Sequence, residues 1–305
     1  RWHEAIHILE AMPKLNHDDT LILINSYANT QNVKQFEKLR VTIDNKDSDN
    51  VLSTMIEAWY YLAHRDWQAI IDLLDDEIVN FDEDALKDYQ PQLLLARAHR
   101  HLLEFAEAHK QLSDFEIHTE NNIKCCIEIA SLAFVRDNYE KTIGQYEKAV
   151  DDIALLPEFS IMQYLQALWH MNYTEKLLET LLQVMSVYPD NQSFSVLYIE
   201  TLARDKQWLQ VLEGVLDIDL NQYAEMVYPV TLARYRLGHI EEAYDNCIKP
   251  TSDHDYKYWH LVSEIALLQE DFELAKYCLK GMIAIFPDKD NQDHWSKLES
   301  IRGYT

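Results

Sequence analysis

Residues 3–7 read His3-Glu4-Ala5-Ile6-His7, the H-E-x-x-H order that places two imidazoles on one helix face for a zinc ion, with a carboxylate beside them as general base. Such a set would support zinc-dependent hydrolysis. Its surroundings oppose that chemistry. The chain continues Ile8-Leu9-Glu10-Ala11-Met12-Pro13, which supplies no third ligand at the metzincin spacing. Trp2 and Ala5 also form a packing pair that returns along the whole chain, leaving His3, Glu4 and His7 at positions that are polar elsewhere. We therefore expect no catalytic residue, no metal site and no cofactor.

A second constellation is a basic island in an acidic chain: Arg97, His99, Arg100 and His101, followed by His109 and Lys110. One reading makes these surface cations paired with Glu104 and Glu107, contributing little. The other uses their spacing. Arg97, Arg100 and His101 stand at i, i+3 and i+4, so they share one helix face, and a guanidinium pair there can fork onto an incoming carboxylate. The four cysteines, Cys125, Cys126, Cys247 and Cys278, show no metal-ligand or redox spacing and sit at apolar positions. They read as small core residues, with a lean toward a reducing, cytoplasmic setting.

The elements that must position these groups are helices. Gly (5) and Pro (7) contribute 12 of 305 residues, so the chain has few of the breakers that punctuate sheets and long loops. A net charge of −25 opposes contact with phosphate backbones and anionic lipid, and no apolar run is long enough to cross a membrane. Nucleic acid and direct membrane insertion are therefore not expected.

Nine paired positions recur: Trp2/Ala5, Val33/Phe36, Trp67/Ile70, Phe105/Ala108, Tyr139/Thr142, Tyr173/Lys176, Trp208/Val211, Ile240/Ala243 and Phe272/Ala275. Their second members fall 31 to 38 residues apart, the period of a helical repeat array. Each unit is expected to be two antiparallel helices, the second starting at the aromatic or aliphatic first member. One array then fills residues 1–305 as a single domain. Trp2 already lies in the second helix of a unit, so the N-terminus looks cut. Residues 289–305, with Trp295, Leu298 and Ile301 at helical spacing, form a capping helix or the first helix of a further unit. The widest spacing, Ile70 to Ala108, holds the acidic stretch Asp75 to Asp88, expected to be a solvated excursion.

The clearest unit is Trp259-x2-Val262-Ser263-x2-Ala266, then Ala275-x3-Leu279 and a closing Pro287. It resembles the tetratricopeptide repeat, W-x2-L-G-x2-Y…A-x3-F…P, with the internal spacings kept. Small residues Ala58, Ala96 and Ala130 stand where the first helix approaches its neighbour, and Tyr27 and Tyr61 at the bulky place three residues later. Thr142, Lys176 and Arg234 depart from the pattern. The resemblance covers essentially the whole chain and implies an all-α, right-handed superhelical solenoid of antiparallel helix pairs, about eight to nine repeats.

The resemblance further implies a concave groove lined by the first helices. By the same offset in each unit its residues include Asn25, Met55, Trp59, Arg97, Arg100, His101, Phe134, Leu165, Trp169, Tyr228 and Tyr235, with Leu21, Leu93, Ile127, Ile161, Val196, Glu200, His260 and Glu264 beside them. Such a lining suits an apolar or amphipathic protein segment, including one that carries a carboxylate, with Trp59, Trp169 and Tyr235 as anchors. The Lys and Asn pattern that grips acidic chaperone tails is missing, because Leu21, Met55 and Leu93 stand in its place, and a ladder of groove Asn residues is missing too. The function expected is that of a non-catalytic protein–protein scaffold within a multiprotein assembly. The alternative is a regulatory or substrate-presenting arm of a larger enzyme whose catalytic part lies outside this chain.

Overall fold

The structure, a computed structural model, describes residues 2–44, 50–118, 122–216, 224–287 and 292–301. Among these, every regular element is helical. The chain divides into two compact units, residues 1–173 and 174–305.

In the first unit, α1 (Trp2–Glu10) packs on α2 (His17–Asn29), which forms a hairpin with α3 (Val33–Asp44). Three more hairpins follow: α4 (Asn50–His64) with α5 (Trp67–Glu77), α7 (Pro91–His101) with α8 (Phe105–His118), and α9 (Ile123–Phe134) with α10 (Tyr139–Ala149). A short α6 (Glu83–Tyr89) stands between the second and third of these four hairpins, and α11 (Glu158–His170) closes the unit. First helices of successive hairpins lie side by side, α2 on α4, α7 on α9 and α9 on α11. The second unit repeats the scheme: α12 (Thr174–Val187) packs on α13 (Gln192–Arg204), which pairs with α14 (Trp208–Glu213). Then come α15 (Ala224–Leu237) with α16 (Ile240–Asp245), α17 (Tyr256–Leu268) with α18 (Phe272–Ile285), and α19 (Gln292–Ile301).

Among the described residues one turn is used eight times. The first helix ends on a residue with positive φ, namely Gln31, Arg65, Leu103, Asp137, Asn172, Lys206, Gly238 and Glu270. The next backbone N–H then donates back to the carbonyl five residues earlier, from Asn32 to Tyr27, Asp66 to Tyr61, and onward to Asp271 to Ala266, always at 2.9–3.0 Å. This closure satisfies carbonyls that a helix end leaves without partners. Seven of the eight positions are not glycine, although a left-handed L-residue costs about 1–2 kcal/mol. Where the next residue is Asp66, Asn138 or Asp271, its side chain caps the second helix by accepting from Ala69, Lys141 or Leu274 N–H.

Seven of the nine expected second-helix anchors are enclosed: Phe36, Ile70, Ala108, Thr142, Val211, Ala243 and Ala275 are fully buried, whereas Ala5 on α1 is only half-buried. Thr142 fits because its hydroxyl donates to the Asn138 carbonyl at 2.9 Å. One pair is corrected. Lys176 is exposed and Tyr173 lies in the turn, because Asn172 takes the left-handed position and α12 starts at Thr174. Leu177, fully buried, is the true anchor, which spares the fold a buried ammonium.

Two further expectations change. The acidic stretch is more than a solvated excursion: a 3₁₀ turn at Ile78–Asn80 and α6 lie within it, Phe81 is buried, and Tyr89 meets the Trp59 ring edge-on at 6.3 Å. In α19, Leu298 and Ile301 are buried but Trp295 is exposed, and His294 takes the inward place, 3.2 Å from the Tyr256 hydroxyl. Positions 288–291 and 302–305, which bear on the expected capping segment, lie outside the described residues.

Candidate functional site

The first unit carries a concavity of about 630 Å³ to which α1, α2, α4, α7, α9 and α11 all contribute. Asn25, Trp59, Arg97, Arg100 and His101, drawn from three different repeats, line it together. Their arrangement follows from helix stacking, since residues at one offset on neighbouring first helices come to one face.

The polar centre is a buried carboxylate. Glu128, on α9, accepts from Arg97 Nε at 2.7 Å and from Arg100 Nη2 at 3.3 Å. Arg97 Nη1 also donates to Asn29 Oδ1 at 2.9 Å, and Asn29 Nδ2 donates to Asn25 Oδ1 at 2.8 Å. Burial alone would push the Glu128 carboxyl up, but the Arg97 and Arg100 guanidiniums outweigh it and hold it below the usual glutamate range. The expected pairing of the island with Glu104 and Glu107 therefore holds only for His99, whose Nδ1 lies 2.8 Å from Glu104. The two arginines bind an acid 31 and 28 residues away, on the next first helix.

His101 stacks on Trp67 with centroids 4.1 Å apart and planes 5° apart. Desolvation of its ring, and then the Arg100 guanidinium, lower its pKa to about 4, so it is neutral near pH 7. The device recurs where His170 stacks on Tyr139 at 4.4 Å, each imidazole ending a first helix and covering the aromatic that starts the preceding second helix. Desolvation, with help from Arg97, likewise lowers the Lys124 pKa.

The remaining expected groove residues separate. Met55 and Leu165 are fully buried and Ile161 with them, so the offset that reaches the surface in one helix points into the core in another. Their burial stabilises the stack by about 1.5–3 kcal/mol each, and they support the concavity from beneath without lining it. Phe134 packs edge-on against Tyr139 at 5.8 Å and, like the half-buried Trp169, is not part of the lining. Trp59 and Arg100 do line it, though only small fractions of each, 6% and 9%, are exposed.

Comparison with solved structures gives the fold. Pseudomonas aeruginosa pilF is similar with a TM-score of 0.51 at 12% identity, over 68% of this chain and 96% of that one. A tetratricopeptide repeat protein from Parabacteroides merdae gives 0.50 at 11% identity, over 82% of this chain and 97% of that one. The Cut9–Hcn1 hetero-tetramer of APC/C gives 0.50 at 12% identity, over 98% of this chain and 58% of that one. The fold is that of a tetratricopeptide-repeat array. No family model and no curated protein matches the sequence.

The second unit of the repeat array holds its own concavity, of about 480 Å³, lined by Tyr228, Tyr235, Arg236, Tyr256, His260 and Glu264 among others. Tyr228 and Tyr235 thus meet, as do their expected neighbours His260 and Glu264. Glu264 accepts from Lys297 of α19 at 2.6 Å.

Several lining residues were not legible in advance. Tyr89 arrives on the inserted α6 and Gln90 follows it, Arg65 sits on a left-handed turn, and Trp67 and Phe159 lie in the first turns of their helices instead of filling the groove offset. Glu128 had one signal, the only charged residue in the largely apolar run Cys125 to Phe134. His3 and His7 are exposed on α1, as the repeat register requires. Cys125, Cys126 and Cys278 are buried, and none of the four cysteines is in a disulfide. Burial pushes the Cys247 and Cys278 thiols up to about 12, so both stay protonated at neutral pH. Among the described residues no helix is long and apolar enough to cross a membrane.

Proposed function

We propose that this chain is a non-catalytic scaffold that holds a segment of a partner protein in the concavity of its first unit. The observation that carries this reading is the convergence of Asn25, Trp59, Arg97, Arg100 and His101 from separate repeats onto one concave surface. Repeat arrays of stacked hairpins present extended concave surfaces of this kind to other chains. Trp67, Tyr89 and the exposed Phe159 supply aromatic contact area beside Trp59, and aromatic side chains are the usual anchors of an interface. The arginines are held in place by Glu128 and Asn29, so they cost little further ordering when a segment docks.

The test is site-specific photocross-linking in cells that make the protein. A photoreactive residue replaces Phe159, in the concavity, or Val41, exposed on α3. We expect a protein adduct from position 159 that maps to a single segment of one partner, with none from position 41. Equal adducts from both positions, or adducts from position 41 alone, would place the interaction elsewhere.

A further inference from the structure

We infer that the segment held by the first unit is acidic: a short peptide stretch in which a large apolar side chain is flanked by carboxylates. The inference rests on the reading that this concavity holds a protein segment, and it names that segment's chemistry.

The argument is one of charge placement. The chain carries 52 acidic residues against 27 basic ones. Among the described residues the lining of the concavity inverts that ratio, with Arg65, Arg97, Arg100 and Lys124 set against the single carboxylate of Glu128. Glu128 compensates one positive charge and leaves a local excess. Two neighbouring groups register it, since Arg100 contributes to lowering the proton affinity of His101, and Arg97 to lowering that of Lys124. The bias returns in the second unit, where Arg236 and Lys257 face Glu264, and in a smaller hollow between α8, α9 and α10, where Arg136 and Lys141 stand with no acid among the described lining residues. Random placement in so acidic a chain would give the opposite balance.

One polar atom in the same lining points to what completes it. Arg100, more than nine-tenths buried, has an Nε with no hydrogen-bond partner. An enclosed guanidinium N–H is costly to leave unmade, and a carboxylate is the acceptor that matches it best. The aromatic wall of Trp59, Trp67, Tyr89 and Phe159 takes the apolar side chain between such carboxylates. The acid-rich exterior does not forbid an anionic guest. Exposed charges beyond a screening length of about 8 Å are damped by salt, whereas the partly desolvated cations act at contact. The same exterior disfavours a long polyphosphate strand, which would have to cross it.

The experiment uses the full chain and three labelled peptides with one central Phe flanked by Glu, by Gln or by Lys, read by fluorescence anisotropy. Affinity should fall in the order Glu, Gln, Lys, with the Glu peptide about tenfold tighter than the Gln peptide at low salt and the gap closing as salt rises. Arg65→Gln with Lys124→Gln, both at exposed positions, should remove that preference. Arg136→Gln with Lys141→Gln, in the smaller hollow, should leave it intact. Equal affinity for the Glu and Gln peptides, no binding by any peptide, or a preference untouched by the first pair of changes overturns the inference. So does a single-stranded oligonucleotide that displaces the Glu peptide. Failure here with a mapped adduct at position 159 leaves the scaffold reading standing, whereas loss of that adduct removes both.

Discussion

The two concavities are built on the same stacked hairpins and differ in how their charges are held. In the first unit the central carboxylate, Glu128, is almost fully enclosed and shared between two arginines of a neighbouring first helix. In the second unit Glu264 meets Lys297 with each side chain 28% exposed, and Lys297 keeps a second partner in Asp293 at 2.9 Å. The first arrangement freezes a positive surface, because neither arginine can swing away without stranding a buried charge. The second can exchange partners with water at little cost. One fold thus gives one rigid, charge-fixed hollow and one tyrosine-lined hollow with solvated ion pairs.

The sharpest way to break this comparison is to neutralise each carboxylate. Glu128→Gln leaves two guanidiniums without their counter-charge and should cost about 3–5 kcal/mol in urea unfolding. Glu264→Gln should cost less than about 1 kcal/mol, since Lys297 retains Asp293. Similar losses for both would show that burial does not separate the two sites.

The units also differ in how close their helices come. A methyl group on Gly281 of α18 would run into the six-membered ring of Trp259, whereas one on Gly144 of α10 would meet nothing within 4 Å. Gly281→Ala should therefore destabilise by about 1–3 kcal/mol. Gly144→Ala should stabilise by about 0.5–1 kcal/mol through helix propensity. Thermal unfolding of the two variants checks the sign as well as the size. A neutral Gly281→Ala would mean that the indole can move aside.

The smallest expected effect is a pH dependence in the first unit. His101 in the folded chain titrates near 4, below its unfolded value near 6.5. Between these values the unfolded chain binds the extra proton, so this group's contribution is complete above about 6.5 and is lost as pH falls toward 4. His101→Phe keeps a ring against Trp67 and removes the titration. Its stability should fall less than that of the wild type between neutral and mildly acid pH, by under about 1 kcal/mol because the site is partly in water. Identical slopes for the two proteins would remove the stacked imidazole from the account.

Much of the fold was legible because the pattern is local. The aromatic or aliphatic first members of the pairs, Val33, Trp67, Phe105, Tyr139, Trp208, Ile240 and Phe272, each start a helix where the period places them. The one slip, at Tyr173, came from reading bulk where the turn decided: Asn172 adopts the left-handed conformation, and the helix begins one residue later. In the concavity, Asn25, Trp59 and Arg97 were legible because three first helices, α2, α4 and α7, present them at related offsets. Met55 and Leu165 were misplaced by the same rule, because small differences in helix rotation decide whether an apolar residue at that offset meets the groove or the next helix.

The sequence by itself determined the helical period, the hairpin turns and the excess of acid, since each depends on residues within one repeat. Only the tertiary structure decided that Arg97 and Arg100 close on Glu128, that His101 lies flat on Trp67, and that the inserted α6 brings Tyr89 to Trp59. These contacts join residues about one repeat apart, and which side chains meet is set by the rotation and rise between stacked hairpins, a packing quantity that a single repeat's sequence does not contain.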